Sequence, residues 1–234
     1  MIGYHLRCFR LFTSPHTLLE RLCHNQAITS HIRDTSIPSQ LRKQMGLLNR
    51  VRPLTSYANA TSDIVQPSEG GKVKVALCQL SVTDDKQSNI LNARSLIHEA
   101  AENGAELIVL PEMWNCPYSN DSFPTYAEDL DSGFAPTFTF MSETAKNLGI
   151  VLVGGSIPEK SQEKLYNSCF IFGKTGQMLG RFSKLHLFDI DIPGKITFKE
   201  SETLTSGTGP LVVDTEVGRI AVGICYDIRF PELA

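Results

Sequence analysis

The chain has 234 residues, of which 41% are hydrophobic and 20% charged, as is ordinary for a soluble globular protein. No apolar run approaches the roughly 18 residues that a membrane-spanning helix needs. The formal net charge of -3 is unevenly divided, because residues 1–60 carry eight Lys or Arg and two acids. The remainder is therefore acidic, which argues against nucleic-acid binding, since that needs a basic face.

The six cysteines are widely spaced, with no C-x-x-C pair and no Cys/His cluster. This spacing argues against a structural zinc site and against the dense disulfide framework of small secreted domains. Reduced thiols in a cellular compartment fit better, and no metal is expected. The six are Cys8, Cys23, Cys78, Cys116, Cys169 and Cys225.

Residues 1–71 have the composition of an organelle transit peptide followed by a linker, and we expect them to be disordered. They are rich in Arg, Ser and Thr and nearly free of acids. The alternative is a basic tail that binds an acidic partner. The composition predicts a mitochondrial or chloroplast location without choosing between the two. If the segment is not used for targeting, the protein is expected in the cytoplasm.

The ordered domain is predicted to span residues 72–234 and to open with a strand, a helix and a second strand. Residues 72–80 and 105–112 are the apolar strands, and apolar positions recur at helical spacing between 88 and 103. This order predicts a parallel strand pair joined by a right-handed crossover. The segment 113–136 is long, irregular and rich in aromatic residues, which indicates a functional loop.

The second half of the chain adds one more helix and several strands to the prediction. The helix is expected at 137–148, a buried strand at 150–159, a hairpin at 166–173 and 177–182, and two strands at 211–214 and 219–224. Residues 183–201 are polar and turn-rich. A helix is expected to begin near Arg229. The mixture indicates an α/β layered sheet fold.

Three chemically active side chains each follow an apolar strand. Glu112 follows one strand, Lys184 follows the hairpin, and Cys225 follows the strand that ends at residue 224. Taken singly, each has an ordinary explanation: a solvated Glu, an exposed Lys, a small core Cys. In open α/β sheets, however, sites form outside the carboxyl ends of the strands.

Together the three form a working set for nucleophilic catalysis. A carboxylate can take the proton of a thiol, and a neighbouring ammonium both favours the thiolate and stabilises a tetrahedral oxyanion. The backbone N–H of Tyr226, directly after the nucleophile, is the expected second oxyanion donor. His186 could be mistaken for the base, but with Glu112 available we expect a supporting role for it.

Three motifs in this order resemble the nitrilase superfamily of carbon–nitrogen hydrolases. They are PEMWNCPY, GRFSKLHLFDIDIPGKITFKES and GICYDIRFPE, and the middle one resembles the omega-amidase branch. The stretches LYNSCFIFG and GGSIPE support this assignment. The resemblance covers residues 72–234 and implies a nitrilase-type α-β-β-α sandwich.

The resemblance also implies a role for each matching residue. Cys225 would be the nucleophile, Glu112 the general base, Lys184 the oxyanion-stabilising cation, and Glu200 a second glutamate that positions the substrate or the triad. Amide hydrolysis would then proceed through a Cys thioester without metal or organic cofactor.

The resemblance further implies a substrate class, a small-molecule 2-oxo acid amide such as 2-oxoglutaramate or 2-oxosuccinamate. Such substrates carry a carboxylate at the far end, and Tyr118 in the long loop is a candidate hydroxyl donor for it. The alternatives are an N-carbamoyl amidase, a deaminated-glutathione amidase or a true nitrilase.

Family members continue well beyond the nucleophile and form homodimers through helices that include the next one. This chain ends nine residues past Cys225, so we expect it to be C-terminally truncated relative to the family. An inactive truncated isoform is therefore a further alternative, and a homodimer is expected for the full-length family rather than for this chain.

Overall fold

The computed structural model describes residues 9–12, 51–57 and 72–233, and their main element is a seven-stranded mixed sheet. Its strands are β2 (Val51–Tyr57), β3 (Lys72–Cys78), β4 (Leu107–Val109), β5 (Glu128–Asp129), β6 (Val151–Ser161), β7 (Lys164–Phe172) and β8 (Met178–Ser183). The order is β2-β3-β4-β6-β7-β8, and β5 pairs beside β6.

A second sheet and a separate hairpin complete the strands of the described residues. The second sheet has the order β1-β12-β11, with β1 (Phe9–Phe12), β11 (Leu211–Thr215) and β12 (Gly218–Ile224). The hairpin consists of β9 (Asp189–Ile192) and β10 (Ile196–Lys199).

The centre of the large sheet is parallel, as the strand-helix-strand pattern predicts. β3, β4 and β6 run parallel, with Ile108 of β4 aligned between Ala76 and Leu152. Strands buried on both faces read as continuous apolar runs, and Leu107–Val109 and Val151–Val153 are such runs. Beyond β6, strands β7 and β8 continue the sheet in antiparallel pairing.

Helices cover one face of the large sheet and the second sheet covers the other. α1 (Lys86–Glu102) and α3 (Pro136–Leu148) pack their apolar faces on one side, with Ile97 and Met141 fully buried. On the other side, Val109 and Val153 share a core with Val222 of β12. This arrangement of layers confirms the predicted α/β class.

The helix ends follow local chemistry. The Asp85 side chain accepts a hydrogen bond from the Gln87 N–H at 2.9 Å and caps the start of α1. α3 begins at Pro136 and ends at Gly149, whose left-handed backbone (φ 62) lets its N–H turn back to the helix. A short helix, α2 (Ser122–Tyr126), lies within the long loop. None of the helices in the described residues has the length and hydropathy to cross a membrane.

The structure adds one hairpin that the sequence does not predict and corrects one predicted helix. The turn-rich residues 183–201 contain the β9–β10 hairpin, whose four-residue strands are too short for a clear alternation signal. The helix expected near Arg229 is instead a pair of 3₁₀ turns, Cys225–Arg229 and Pro231–Leu233. Pro231 disfavours the helical conformation at the residue before it, and Phe230 is extended (φ -111, ψ 99).

Most of the predicted leader, residues 1–71, lies outside the described residues. Within it, the backbone of Phe9–Phe12 pairs antiparallel with β12, and that of Val51–Tyr57 pairs antiparallel with β3. The prediction of a disordered transit peptide and linker for the segment as a whole stays a prediction.

A bulge in β6 packs closely against the segment that carries Glu112 and hydrogen-bonds to it. The register of β6 against β7 shifts between Val153 and Ser156, where Gly155 adopts a left-handed backbone (φ 63). A Cβ on Gly155 would stand 2.3 Å from the Pro111 carbonyl oxygen, which accepts a hydrogen bond from the Ser156 N–H at 3.1 Å. The bulge therefore needs glycine both for its backbone conformation and for this close approach.

We expect Gly155→Ala to lower the free energy of unfolding by at least about 3 kcal/mol, because a steric clash adds to the cost of a left-handed alanine. The measurement is urea denaturation of the 234-residue chain. Gly194→Ala is the matched control, since its backbone is also left-handed (φ 72) but a Cβ there meets nothing within 4 Å. It should cost only about 1 kcal/mol. Equal losses would contradict the proposed close approach.

Candidate active site

The three predicted catalytic residues lie just beyond the ends of three strands and close to one another. Lys184 follows β8 directly, Cys225 follows β12 directly, and Glu112 lies in the turn beyond β4. Glu112 and Lys184 are almost completely buried, whereas Cys225 is half-buried. The structure thus brings the predicted residues together.

Lys184 binds two carboxylates at once. Its Nζ lies 2.9 Å from Glu112 Oε1 and 2.9 Å from Glu200 Oε2. Burial alone would lower the pKa of this ammonium, but Glu112 and Glu200 outweigh it and raise the pKa above its ordinary value. Lys184 is therefore a fixed positive charge in the site.

Glu200 anchors the other side of the lysine. It opens a 3₁₀ turn after β10, and its carboxylate accepts the Phe188 N–H at 2.6 Å and the hydroxyl of Tyr118. Burial raises the pKa of Glu200, while the Lys184 charge opposes this shift. Tyr118, predicted as a substrate contact, therefore lies within the cluster of Glu112, Lys184 and Glu200, with its hydroxyl also 3.5 Å from Glu112 Oε1.

Cys225 is held in a strained conformation at the turn that follows β12. Its φ of 47° is in the left-handed region, which costs a residue with a Cβ about 1–2 kcal/mol. Burial most of all, then the charge of Glu112 and a hydrogen bond to it, together raise the pKa of the thiol to about 12 against the opposing Lys184. The resting group is therefore a thiol, and Glu112 is placed to take its proton.

Asp227 ties the strained turn to the segment that carries Lys184. Its buried carboxylate accepts the Ile224 N–H at 3.0 Å and the His186 N–H at 2.8 Å. The same carboxylate contacts His186 Nδ1 at 2.7 Å, and the imidazole stacks on the Phe230 ring with centroids 3.6 Å apart. His186 accordingly has the supporting place that the sequence predicts for it.

In the part of the chain that the structure describes, no three His, Cys, Asp or Glu side chains are grouped as metal ligands would be. The cluster instead pairs its carboxylates with an ammonium, which leaves a thiol, a base and a cation as the reactive groups. Such a set suits acyl transfer from a carbonyl compound to sulfur.

Comparison with known proteins identifies the family. The family model "Carbon-nitrogen hydrolase" matches residues 74–234. The chain belongs to the carbon-nitrogen hydrolase family. The crystal structure of Saccharomyces cerevisiae Nit3, described as a member of branch 10 of the nitrilase superfamily, matches with a TM-score of 0.62 and 37% identity. This match covers 76% of the present chain and 61% of that one, and it confirms the expected resemblance in fold.

Two curated relatives of this carbon-nitrogen hydrolase are omega-amidases. The chloroplastic omega-amidase of Arabidopsis thaliana is 50% identical over 211 residues, which is 89% of this chain and 53% of that protein. The omega-amidase NIT2 of Bos taurus is 49% identical over 161 residues, which is 69% of this chain and 57% of that protein. The chain thus spans about half the length of the curated relatives it matches.

Asn167 also belongs to the cluster, although the sequence does not predict it. It is fully buried on β7, and its Nδ2 donates to Glu112 Oε1 at 2.8 Å. The available signal is a polar Asn167–Ser168 pair within an otherwise apolar strand, and a buried polar group needs a partner. The partner is 55 residues away in sequence, so no local pattern indicates it.

We expect Asp227→Asn to lower the free energy of unfolding by about 1–3 kcal/mol, because an amide NH₂ would face backbone N–H groups that now meet a carboxylate. Urea denaturation measures the change. Asp214→Asn is the matched control, since Asp214 forms an ion pair with Arg219 but is 59% exposed. It should cost less than about 1 kcal/mol. Similar losses in both variants would show that the Asp227 contacts contribute little.

We expect Glu112→Gln to speed the alkylation of Cys225 by iodoacetamide at pH 8 at least threefold. The Glu112 charge and hydrogen bond raise the thiol pKa, so their loss lowers it and increases the thiolate fraction. The rate is read by mass spectrometry of the peptide that contains Cys225, and the peptide that contains the buried Cys169 is the internal control. A slower or unchanged rate would contradict the contact between Glu112 and the thiol.

Proposed function

We propose that this carbon-nitrogen hydrolase is an omega-amidase that hydrolyses the side-chain amide of 2-oxo dicarboxylic acid monoamides. The observation that carries the proposal is the buried cluster of Glu112, Lys184 and Glu200 beside the half-buried thiol of Cys225. Relatives at 49–50% identity that are named omega-amidases support the substrate class.

The first half of the reaction forms a thioester. Glu112 takes the proton of Cys225 as the sulfur attacks the carboxamide carbon, and a tetrahedral intermediate with a negative oxygen results. Protonated Glu112 then gives its proton to the amide nitrogen, the carbon–nitrogen bond breaks, and ammonia leaves. Because the thiol pKa is about 12, thiolate forms in quantity only during this concerted step.

The second half of the reaction hydrolyses the thioester and regenerates the free enzyme. Water attacks the thioester carbon while Glu112 takes a proton from it, and collapse of the second tetrahedral intermediate releases the 2-oxo acid and the thiolate, which regains the proton from Glu112. In both halves Lys184 and the Tyr226 N–H stabilise the oxyanion. Glu200 holds the lysine in place, since it contacts Nζ with both of its oxygens at 2.9 and 3.1 Å.

Tyr118 is proposed as the contact for the distal carboxylate of the substrate. Its hydroxyl has a single proton, which it donates to Glu200 in the structure. A substrate carboxylate would therefore accept this hydrogen bond in place of Glu200, so that binding of the substrate and orientation of Glu200 are linked. The rings of Phe198 and Phe123 pack against Tyr118 and fix its position.

We further propose that the protein acts in an organelle, because of the Arg-rich, acid-poor composition of residues 1–60. The relative from Arabidopsis thaliana is named chloroplastic, and its alignment covers 89% of this chain, more than the 74–234 of the family model. Assembly as a homodimer stays a prediction from the family resemblance.

We expect the 234-residue chain to release ammonia from 2-oxoglutaramate and 2-oxosuccinamate at least tenfold faster than from N-carbamoyl acids, deaminated glutathione or nitriles. Cys225→Ala should abolish the release, because no other group replaces the nucleophile. The measurement is a coupled ammonia assay on folded protein. A preference for N-carbamoyl acids would favour that alternative. Folded protein whose Cys225 is alkylated but which releases no ammonia would favour the inactive form.

A further inference from the structure

Asn167 stands out among the buried polar residues because it touches two catalytic residues in different ways. Its side chain is fully buried, and Nδ2 donates to Glu112 Oε1 at 2.8 Å. Its backbone carbonyl accepts the N–H of Lys184 at 2.9 Å. One residue of β7 therefore contacts both the base and the cation, although these lie 72 positions apart in the chain.

The orientation of the Asn167 amide follows from its partner. A carboxylate oxygen can only accept, so the NH₂ end must face Glu112 and the carbonyl end, Oδ1, must point away. Oδ1 is buried and has no hydrogen-bond partner within the described part of the chain. An orphaned buried acceptor lowers stability, so folding energetics alone would favour an apolar side chain here.

Glu112 Oε1 accepts hydrogen bonds from more than one donor. Lys184 Nζ and Asn167 Nδ2 reach it at 2.9 and 2.8 Å. Each donor favours the charged carboxylate, but a cation does so much more strongly than a neutral amide. A second cation in place of Asn167 would hold the Glu112 carboxylate in one orientation but would lower its pKa and weaken it as a base. The neutral amide holds the same orientation and lowers the pKa less.

We propose that Asn167 is a positioning residue that orients the Glu112 carboxylate toward Cys225 by holding its Oε1 with a neutral donor. The predicted effect on turnover rests on the amidase function proposed above. The predicted orientation of the Glu112 carboxylate toward the Cys225 thiol does not depend on that function. The price of the arrangement is the orphaned Oδ1.

The test is a double-mutant cycle of Asn167→Ala and Glu112→Gln with two readouts. On 2-oxoglutaramate, Asn167→Ala should lower kcat about 10- to 100-fold with KM nearly unchanged, because a misplaced base affects the chemical step and not substrate binding. Alkylation of Cys225 by iodoacetamide at pH 8 should instead rise about threefold, because a carboxylate no longer held near the sulfur raises the thiol pKa less.

The cycle then asks whether Asn167 acts through Glu112. In the Glu112→Gln background, adding Asn167→Ala should change neither rate by more than about twofold. Equal changes in both backgrounds, or no change of the alkylation rate in either, would overturn the proposal. If the wild-type chain is folded but releases no ammonia, the proposed function fails, and the alkylation cycle still decides the role of Asn167.

Asn115→Ala is the matched control for loss of a buried amide. Asn115 is also fully buried and also has an Oδ1 without a partner within the described residues, but its Nδ2 contacts Thr137 at the start of α3. Its alkylation rate and kcat should stay within about twofold of wild type. Both alanine variants should melt within about 3 °C of each other. A much lower melting temperature for Asn167→Ala alone would indicate a merely structural role.

Asn167→Asp supplies a conservative variant with a pH signature. A protonated Asp donates to Glu112 Oε1 as the amide does, but an ionised Asp repels the Glu112 carboxylate. Relative to wild type, kcat/KM should therefore be highest near pH 5 and fall at least tenfold by pH 8. A ratio that does not depend on pH would contradict a role through hydrogen-bond donation.

Discussion

The buried ammonium of Lys184 is the constraint on which the site depends. Removal of an ion from water costs several kcal/mol even after relaxation, and here three ionisable side chains are buried together. The two carboxylates at 2.9 Å offset this cost only because further donors satisfy remaining lone pairs on the same oxygens. Phe188 N–H, the Tyr118 hydroxyl and the Asn167 amide are these donors. Such a buried ionic cluster contributes little net stability to a fold, but it holds a cation in one position, as functional sites require.

The fold supplies the positions of this cluster through strand ends and two strained turns. Met113, next to Glu112, and Cys225 both have φ of 47°, a conformation that side chains with a Cβ rarely adopt. A hydrogen bond from a neighbouring segment stabilises each turn. The Ser156 N–H in the bulge donates to the Pro111 carbonyl beside the first turn, and the Asp227 carboxylate accepts the Ile224 N–H at the second. Strain of this kind persists only where surrounding contacts determine the backbone, and it concentrates at functional sites.

The sequence predicts much of this arrangement because its signals are local. Apolar runs such as 150–159 indicate buried strands, and the reactive residues that follow three such strands converge by the rule that sites lie at carboxyl strand ends. The contacts of Asn167 and Asp227 could not be predicted, since they join side chains to partners 55 and 41 residues away. The β9–β10 hairpin could not be predicted because four-residue strands fit several periodicities. The 3₁₀ turns after Cys225 depend on Pro231 and on the hydrogen bond from the Ile224 N–H to the Asp227 carboxylate.

Burial and the charge balance of the cluster explain why the proposed nucleophile rests as a thiol. Burial disfavours a thiolate at Cys225 most, and the two carboxylates with one ammonium sum to a negative charge that would also repel it, so the pKa of Cys225 is raised to about 12. A Cys–His pair works in the opposite sense, because a cationic imidazole stabilises the thiolate before substrate arrives. In the proposed reaction, negative charge on sulfur becomes favourable only as it passes to the carbonyl oxygen and Glu112 is neutralised by the proton. The proposed site would therefore be complementary to the oxyanion rather than to the free thiolate, which is the condition for stabilising a transition state more than the resting enzyme.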